Sequence, residues 1–138
     1  MPGPTDHGAA PERPAPADDE PLGPLEAELL ASLWATGTWM SAPELHELVA
    51  HTRPLAYTTV STVLIRLWHK GHVERIRDGR SFAYRALRTR EQYTAARMAG
   101  LLADLEDRPR ALTWFLEFLA PAERAQLRRL LNRDGPAP

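Results

Sequence analysis

The chain has 138 residues, 43% of them hydrophobic and 25% charged, with a formal net charge of −1 and no cysteine. A chain of this length closes one modest core, or one core with a small appendage. The missing cysteines exclude disulfides, thiolate metal sites and a thiolate nucleophile. No apolar run approaches the roughly 18 residues of a membrane span. Nor does the N-terminus carry a signal-peptide core, so the chain reads as cytoplasmic with no membrane insertion.

Charge is unevenly spread. Residues 1–21 carry five acidic groups against Arg13, a net of −4, whereas residues 22–88 come to +2 and residues 89–138 to +1. The first stretch also holds six prolines and no Val, Ile, Leu or aromatic residue. It cannot bury enough apolar surface to offset its ordering entropy, so 1–21 is expected to be a disordered acidic tail. Residues 134–138 read as a second short tail.

Leu22, Leu25, Leu29 and Leu33, with Leu30 and Trp34 beside them, predict a first helix ending near Thr36-Gly37. Ser41-Ala42-Pro43-Glu44 has capping-box spacing, with Ser at the cap and Glu three residues on. Ala42, Leu45, Leu48 and Val49 continue it as the apolar stripe of a second helix. Arg53-Pro54 breaks the chain, because proline disfavours helix in the residue before it.

The next segment, from Tyr57 to Gly71, organises the rest. Its Thr and Val residues favour a strand by composition. Val60, Val63, Leu64 and Leu67 nevertheless recur at i, i+3, i+4 and i+7, and this period predicts a helix stopped by Lys70-Gly71. The opposite face shows Thr58, Thr59, Ser61, Thr62, Arg66 and His69. Short hydroxyls that both donate and accept, with one cation, suit a DNA major groove. On that reading the acidic tail either solvates or competes with DNA phosphates.

After Gly71 the period changes to two. His72 to Arg77 and Ser81 to Leu87 flank Asp78-Gly79, a hairpin signal because a type I′ turn needs positive φ. Phe82, Tyr84 and Ala86 alternate on the second strand, while Val73 and Ile76 fall on opposite faces and leave the first strand's register open. Arg75, Arg77, Arg80 and Arg85 decorate the hairpin. Three helices and a basic hairpin over 22–88 outline an α+β winged helix-turn-helix in a mainly α chain.

From Thr89 the pattern is helical again. Thr94, Met98, Leu101 and Leu105 keep one stripe; Leu112, Phe115, Leu116 and Leu119 a second; Leu127, Leu130 and Leu131 a third. Units below about 40 residues generally need a partner, a metal or a covalent staple. This stretch has little room for a private core and no cysteine, so a second copy is the expected partner. Residues 89–133 thus read as a C-terminal helical dimerisation arm, with those apolar residues from Met98 to Leu131 at its interface.

Other constellations carry little. His69 and His72 flank the helix-ending Gly71, and His46 and His51 lie five apart, so all read as solvent-facing rather than metal ligands. Trp114, Phe115 and Phe118 read as core or interface rather than a ligand pocket. No phosphate loop, catalytic carboxylate pair or Ser/His/Asp set is present, so neither an enzyme nor a cofactor is expected.

Leu25-Glu26-x-Glu28-x-x-x-x-Leu33-Trp34, then Leu55-Ala56-Tyr57-Thr58-Thr59-Val60-x-Thr62-x-Leu64-x-Arg66-Leu67-x-x-Lys70-Gly71, then Gly79-Arg80-x-x-x-Tyr84 resemble the penicillinase-repressor family over residues 22–133. That family includes repressors of β-lactamase and methicillin-resistance operons and copper-responsive repressors. The resemblance implies a homodimeric transcriptional repressor on palindromic double-stranded operators with TACA/TGTA-like half-sites. It places DNA contacts on Thr58, Thr59, Ser61, Thr62 and Arg66, with Arg77 and Arg80 of the wing on the backbone. Two departures stand out. The cysteine pattern of the copper branch is absent. The β-lactam branch is cut at an Asn-Phe bond, whose nearest counterpart here is Trp114-Phe115 without the Asn; on that route a membrane sensor protease would be a further partner. A winged-helix protein-interaction module and a small-molecule-responsive repressor are the alternatives.

Overall fold

The computed structural model describes residues 10–12 and 20–133. Apart from 10–12, 20 and 21, the expected tails at 1–21 and 134–138 lie outside the described residues. Six helices and three short strands make an α+β winged helix followed by further helices: α1 (Pro24–Thr36), β1 (Met40–Ser41), α2 (Ala42–Ala50), α3 (Tyr57–His69), β2 (Val73–Asp78), β3 (Ser81–Ala86), α4 (Arg90–Ala103), α5 (Arg108–Phe118) and α6 (Pro121–Arg133). The chain forms two compact units that divide within α4, between Arg97 and Met98.

In the first unit each helix ends where its sequence says it should. The Gly23 N–H donates to Glu26 Oε1 at 2.9 Å, Pro24 opens α1, and Gly37 closes it at φ +70°. Ser41 Oγ accepts from the Glu44 N–H at 3.2 Å to cap α2. At the end of α3, Gly71 takes φ +85°. Its N–H donates to Trp68 O at 3.1 Å while the His72 N–H donates to Leu67 O at 3.0 Å. This paired closure needs a left-handed residue at Gly71, which a Cβ would strain.

The core gathers Leu29, Leu30 and Leu33 from α1, Leu45 and Val49 from α2, Val60, Val63, Leu64 and Leu67 from α3, and Val73 and Tyr84 from the sheet. Burying the four α3 side chains contributes on the order of 6–12 kcal/mol. Its six β-branched residues cost about 4 kcal/mol at most as helix formers. Burial wins, and the helix forms against its composition. Leu48 departs from the expected stripe. It sits one step round α2 from the Ala42–Leu45–Val49 line and is exposed.

The sheet is antiparallel with order β1-β3-β2, pairing Met40 with Tyr84 and Val73 with Ala86. Asp78 pairs with Ser81, so the hairpin loop is Gly79-Arg80, one residue later than Asp78-Gly79. Gly79 has φ +63° and no non-glycine residue has positive φ among the described residues. A positive φ at the first loop position alone is the pattern of a type II′ turn, which wants Gly there rather than Asp-Gly across both positions. Ala83 is fully buried beside Tyr84, so β3 is covered on both faces, as its central place in the sheet allows.

The histidines are not uniformly solvent-facing. His72 is buried, with its ring edge-on to Tyr93 at 5.6 Å. His46 is half-buried and its Nε2–H donates to Leu55 O at 2.6 Å. His51 and His69 are exposed.

One buried ion pair joins α1 to the end of α3. Lys70 Nζ lies 3.1 Å from both carboxylate oxygens of Glu26, whose side chain is 6% exposed. Burial pushes the Glu26 carboxyl up, but the Gly23 N–H, Lys70 and Arg66 outweigh it and hold the pKa below its ordinary value. A depressed carboxylate stabilises the fold above its unfolded pKa and loses that contribution as pH falls through the folded value. Glu26→Gln should lower unfolding stability at neutral pH by about 1–3 kcal/mol. Denaturant titrations should show the gap to wild type closing as pH is lowered below the ordinary carboxylate range; a gap constant with pH would contradict it.

Candidate nucleic-acid interface

The apolar stripe of α3 is sealed in the core, so the helix has one outward side. Thr58, Thr59, Thr62 and Arg66 are exposed there, and Ser61 is half-buried at its margin. The start of the helix is pinned through Leu55, half-buried on the core and held at its carbonyl by His46. The ring of Tyr57 meets His46 edge-on at 5.8 Å. The outward face is therefore presented by a rigid element, as recognition by side chains requires.

Two details of this face go beyond the expected set of hydroxyls and one cation. Thr62 Oγ1 donates to Thr58 O at 2.8 Å, so its proton is committed to the backbone. What remains for a ligand is its acceptor capacity and its methyl group. Ile65, 38% exposed, lies on the same outward side between Thr58, Ser61, Thr62 and His69. The helical spacing could have revealed it, since i−4 and i+4 from Ile65 are Ser61 and His69.

The wing cations divide into two pairs. Arg77 and Arg80 are exposed, Arg77 with its guanidinium 5.1 Å from the Phe82 ring and Arg80 in the turn. Arg85 stays on the surface as expected, with its side chain 44% exposed, whereas Arg75 is largely enclosed at 17%. Arg75 is wedged 4.0 Å from the Trp68 ring and 4.2 Å from the Phe82 ring, with its Nε donating to Glu12 Oε2 at 2.9 Å. Arg85 Nε donates to the buried Glu74 Oε1 at 2.8 Å and its guanidinium covers Trp39. Arg85 stands opposite Glu74 in the register and pairs with it from the surface, because leaving that buried carboxylate unpaired is costly.

The second unit has a different surface. No residue of α4, α5 or α6 is buried. Met98, Leu101, Leu105, Leu112, Phe115, Leu116, Leu130 and Leu131 are exposed, with Leu119 and Leu127 half-buried. Met98, Leu101, Leu102, Leu105, Leu112 and Phe115 line an apolar cleft of about 350 Å³ between α4 and α5. Trp114 and Phe118 of α5 are 62% and 85% exposed.

Among the described residues no group of three or more His, Asp or Glu lies at metal-holding distance, and no helix is long and apolar enough to cross a membrane. The family model described as penicillinase repressor matches residues 22–133. The protein called transcriptional regulator BlaI of Mycobacterium tuberculosis, in strains CDC 1551 and H37Rv, is 39% identical over 113 residues, covering 80% of this chain and 82% of that protein. The match runs through the winged helix and the helices after it, and on these grounds the chain belongs to the penicillinase repressor family, whose members regulate transcription and are not enzymes.

Proposed function

We propose that the chain is a homodimeric, sequence-specific repressor that places α3 of each copy in the major groove of a palindromic operator. The observation that supports this best is the outward face of α3, with Thr58, Thr59, Thr62 and Arg66 exposed on a helix whose other side is sealed. Arg66 is the residue assigned to a guanine or phosphate, and the threonines to base edges and thymine methyls. Ile65 adds an apolar contact of the same kind. Arg77 and Arg80 hold the sugar-phosphate backbone, which positions without specifying. Such a protein works where the genome lies, in the cytoplasm.

Winged helices of modest charge bind weakly alone, and the region 22–88 carries only +2. Two copies double the phosphate contacts and fix the half-site spacing at about 10 base pairs or a multiple. The arm supplies the means. Its apolar side chains on α4, α5 and α6, most of them exposed, match an interface between two copies, the residues assigned being Met98, Leu101, Leu105, Leu112, Phe115, Leu116, Leu119, Leu127, Leu130 and Leu131. Trp114-Phe115 lies in the middle of α5. Proteases favour exposed, irregular segments, so a sensor protease cutting there would need α5 to open first.

A gel shift on DNA upstream of the chain's own operon tests the reading. Retarded bands that survive excess random DNA are the expected result, and no band at low salt would refute it. Arg66→Ala should weaken specific binding by about 1–3 kcal/mol while changing non-specific binding less. Ile65→Ala should behave on the natural operator as wild type does when the contacted thymine is replaced by deoxyuridine; additive losses would remove Ile65 from the contact. In the arm, Leu101→Glu with Leu112→Glu should convert a dimer to a monomer by sedimentation equilibrium, leaving the winged-helix circular dichroism intact. A dimer that persists would contradict the interface.

A further inference from the structure

β2 is an outer strand of the sheet, so one of its edges lacks a partner within the sheet. Glu12 lies against that edge. Glu12 and Arg75 form an antiparallel bridge in which the Glu12 N–H donates to Arg75 O at 2.7 Å and the Arg75 N–H donates to Glu12 O at 3.1 Å. Glu12 O also accepts from Trp68 Nε1 at 3.1 Å, and its carboxylate takes the Arg75 Nε ion pair at 2.9 Å. One acidic residue thus meets a strand edge, an indole N–H at the end of α3 and a cation stacked between two aromatic rings.

The chemistry of this edge selects its occupant. With Glu12 in place the Arg75 side chain is 17% exposed between two aromatic rings, and a cation so placed gains from an anion at hand. The ladder groups of β2 ask for an extended main chain, as in strand addition at other sheet edges. An extended acidic segment satisfies both. Glu12 makes both contacts here, and the sequence around it, residues 1–21, carries a net charge of −4.

We propose that the outer edge of β2 is a docking surface for the chain's own acidic N-terminal segment, seated through Glu12, and that this segment competes with DNA for the wing. The competition rests on the DNA-binding reading above; the docking does not. Arg77 shares the Arg75 face of β2 two residues on, about 7 Å along the strand. That is within the Debye length of about 8–10 Å at ordinary salt, so carboxylates held at Arg75 lower the potential that a phosphate meets at Arg77.

The test uses the full-length chain as wild type, Glu12→Gln, and a variant with Asp6, Asp18, Asp19 and Glu20 also changed to their amides. DNA dissociation constants are measured at several salt concentrations, alongside hydrogen exchange of the Arg75 amide without DNA. Glu12→Gln should bind DNA about two- to fivefold tighter at low salt. The fuller variant should gain more, and both gains should shrink as salt rises. The Arg75 amide, which donates to Glu12 O, should be protected in wild type and exchange faster in the fuller variant, which lacks the ion pair that seats residue 12. Equal or weaker DNA binding by the amide variants overturns the competition. An Arg75 amide that exchanges like an open edge in wild type overturns the docking. No DNA binding by any of the three refutes the functional reading itself, leaving exchange to decide the docking.

Discussion

Four side chains, Val60, Val63, Leu64 and Leu67, leave α3 a single rotational setting, because turning the helix would bring fully buried aliphatic surface into water. Everything on the outer side is positioned by that constraint. Thr58, Thr59, Thr62, Ile65 and Arg66 are displayed because their neighbours cannot be. The ends of the helix are held as firmly as its flank. Leu55 anchors the start through His46, the Gly71 turn closes the finish, and Lys70 ties the last turn to Glu26 of α1. A side-chain array that reads base edges needs such rigidity, since misplaced hydrogen-bonding groups are left unpaired and count against the complex.

Electrostatics in this chain work mostly inward. Glu26 engages Lys70, Glu74 engages Arg85, Glu12 engages Arg75 and Glu28 engages Arg53. What remains facing outward near α3 is a short set, Arg66, Arg77 and Arg80. This explains how a member of a repressor family can have a net charge of −1. On the proposed reading, affinity for a polyanion comes from a few well-placed cations and from pairing of two copies, which the exposed apolar stripes of the second unit suit.

Much of this was legible in the residues. The core of the winged helix follows from the 3.6-residue period, the helix ends from Gly37, Ser41 and Gly71, and the outward face of α3 from what the period leaves over. The misreadings have physical causes. Asp78-Gly79 was expected to span the turn, but a type II′ turn needs Gly at its first position only, which moves the loop to Gly79-Arg80. His72 was expected in solvent, yet the chain folds back so that Tyr93 of α4 covers it, a contact 21 positions away that no local pattern contains. Arg75 reads as a surface cation along the strand because its tertiary partners Glu12, Trp68 and Phe82 are invisible to a pattern read along one strand.

The most direct measurement exploits the missing cysteines. A single Thr62→Cys variant carrying a tethered DNA-cleaving iron chelate has only one point of attachment, and the bound complex reports where that point sits on the duplex. Two clusters of cuts symmetric about the operator dyad, separated by one or more helical turns and in major-groove offset, are the predicted result. Cuts no stronger than those from a chelate at Leu48→Cys, on the exposed side of α2, would show that α3 does not enter the groove.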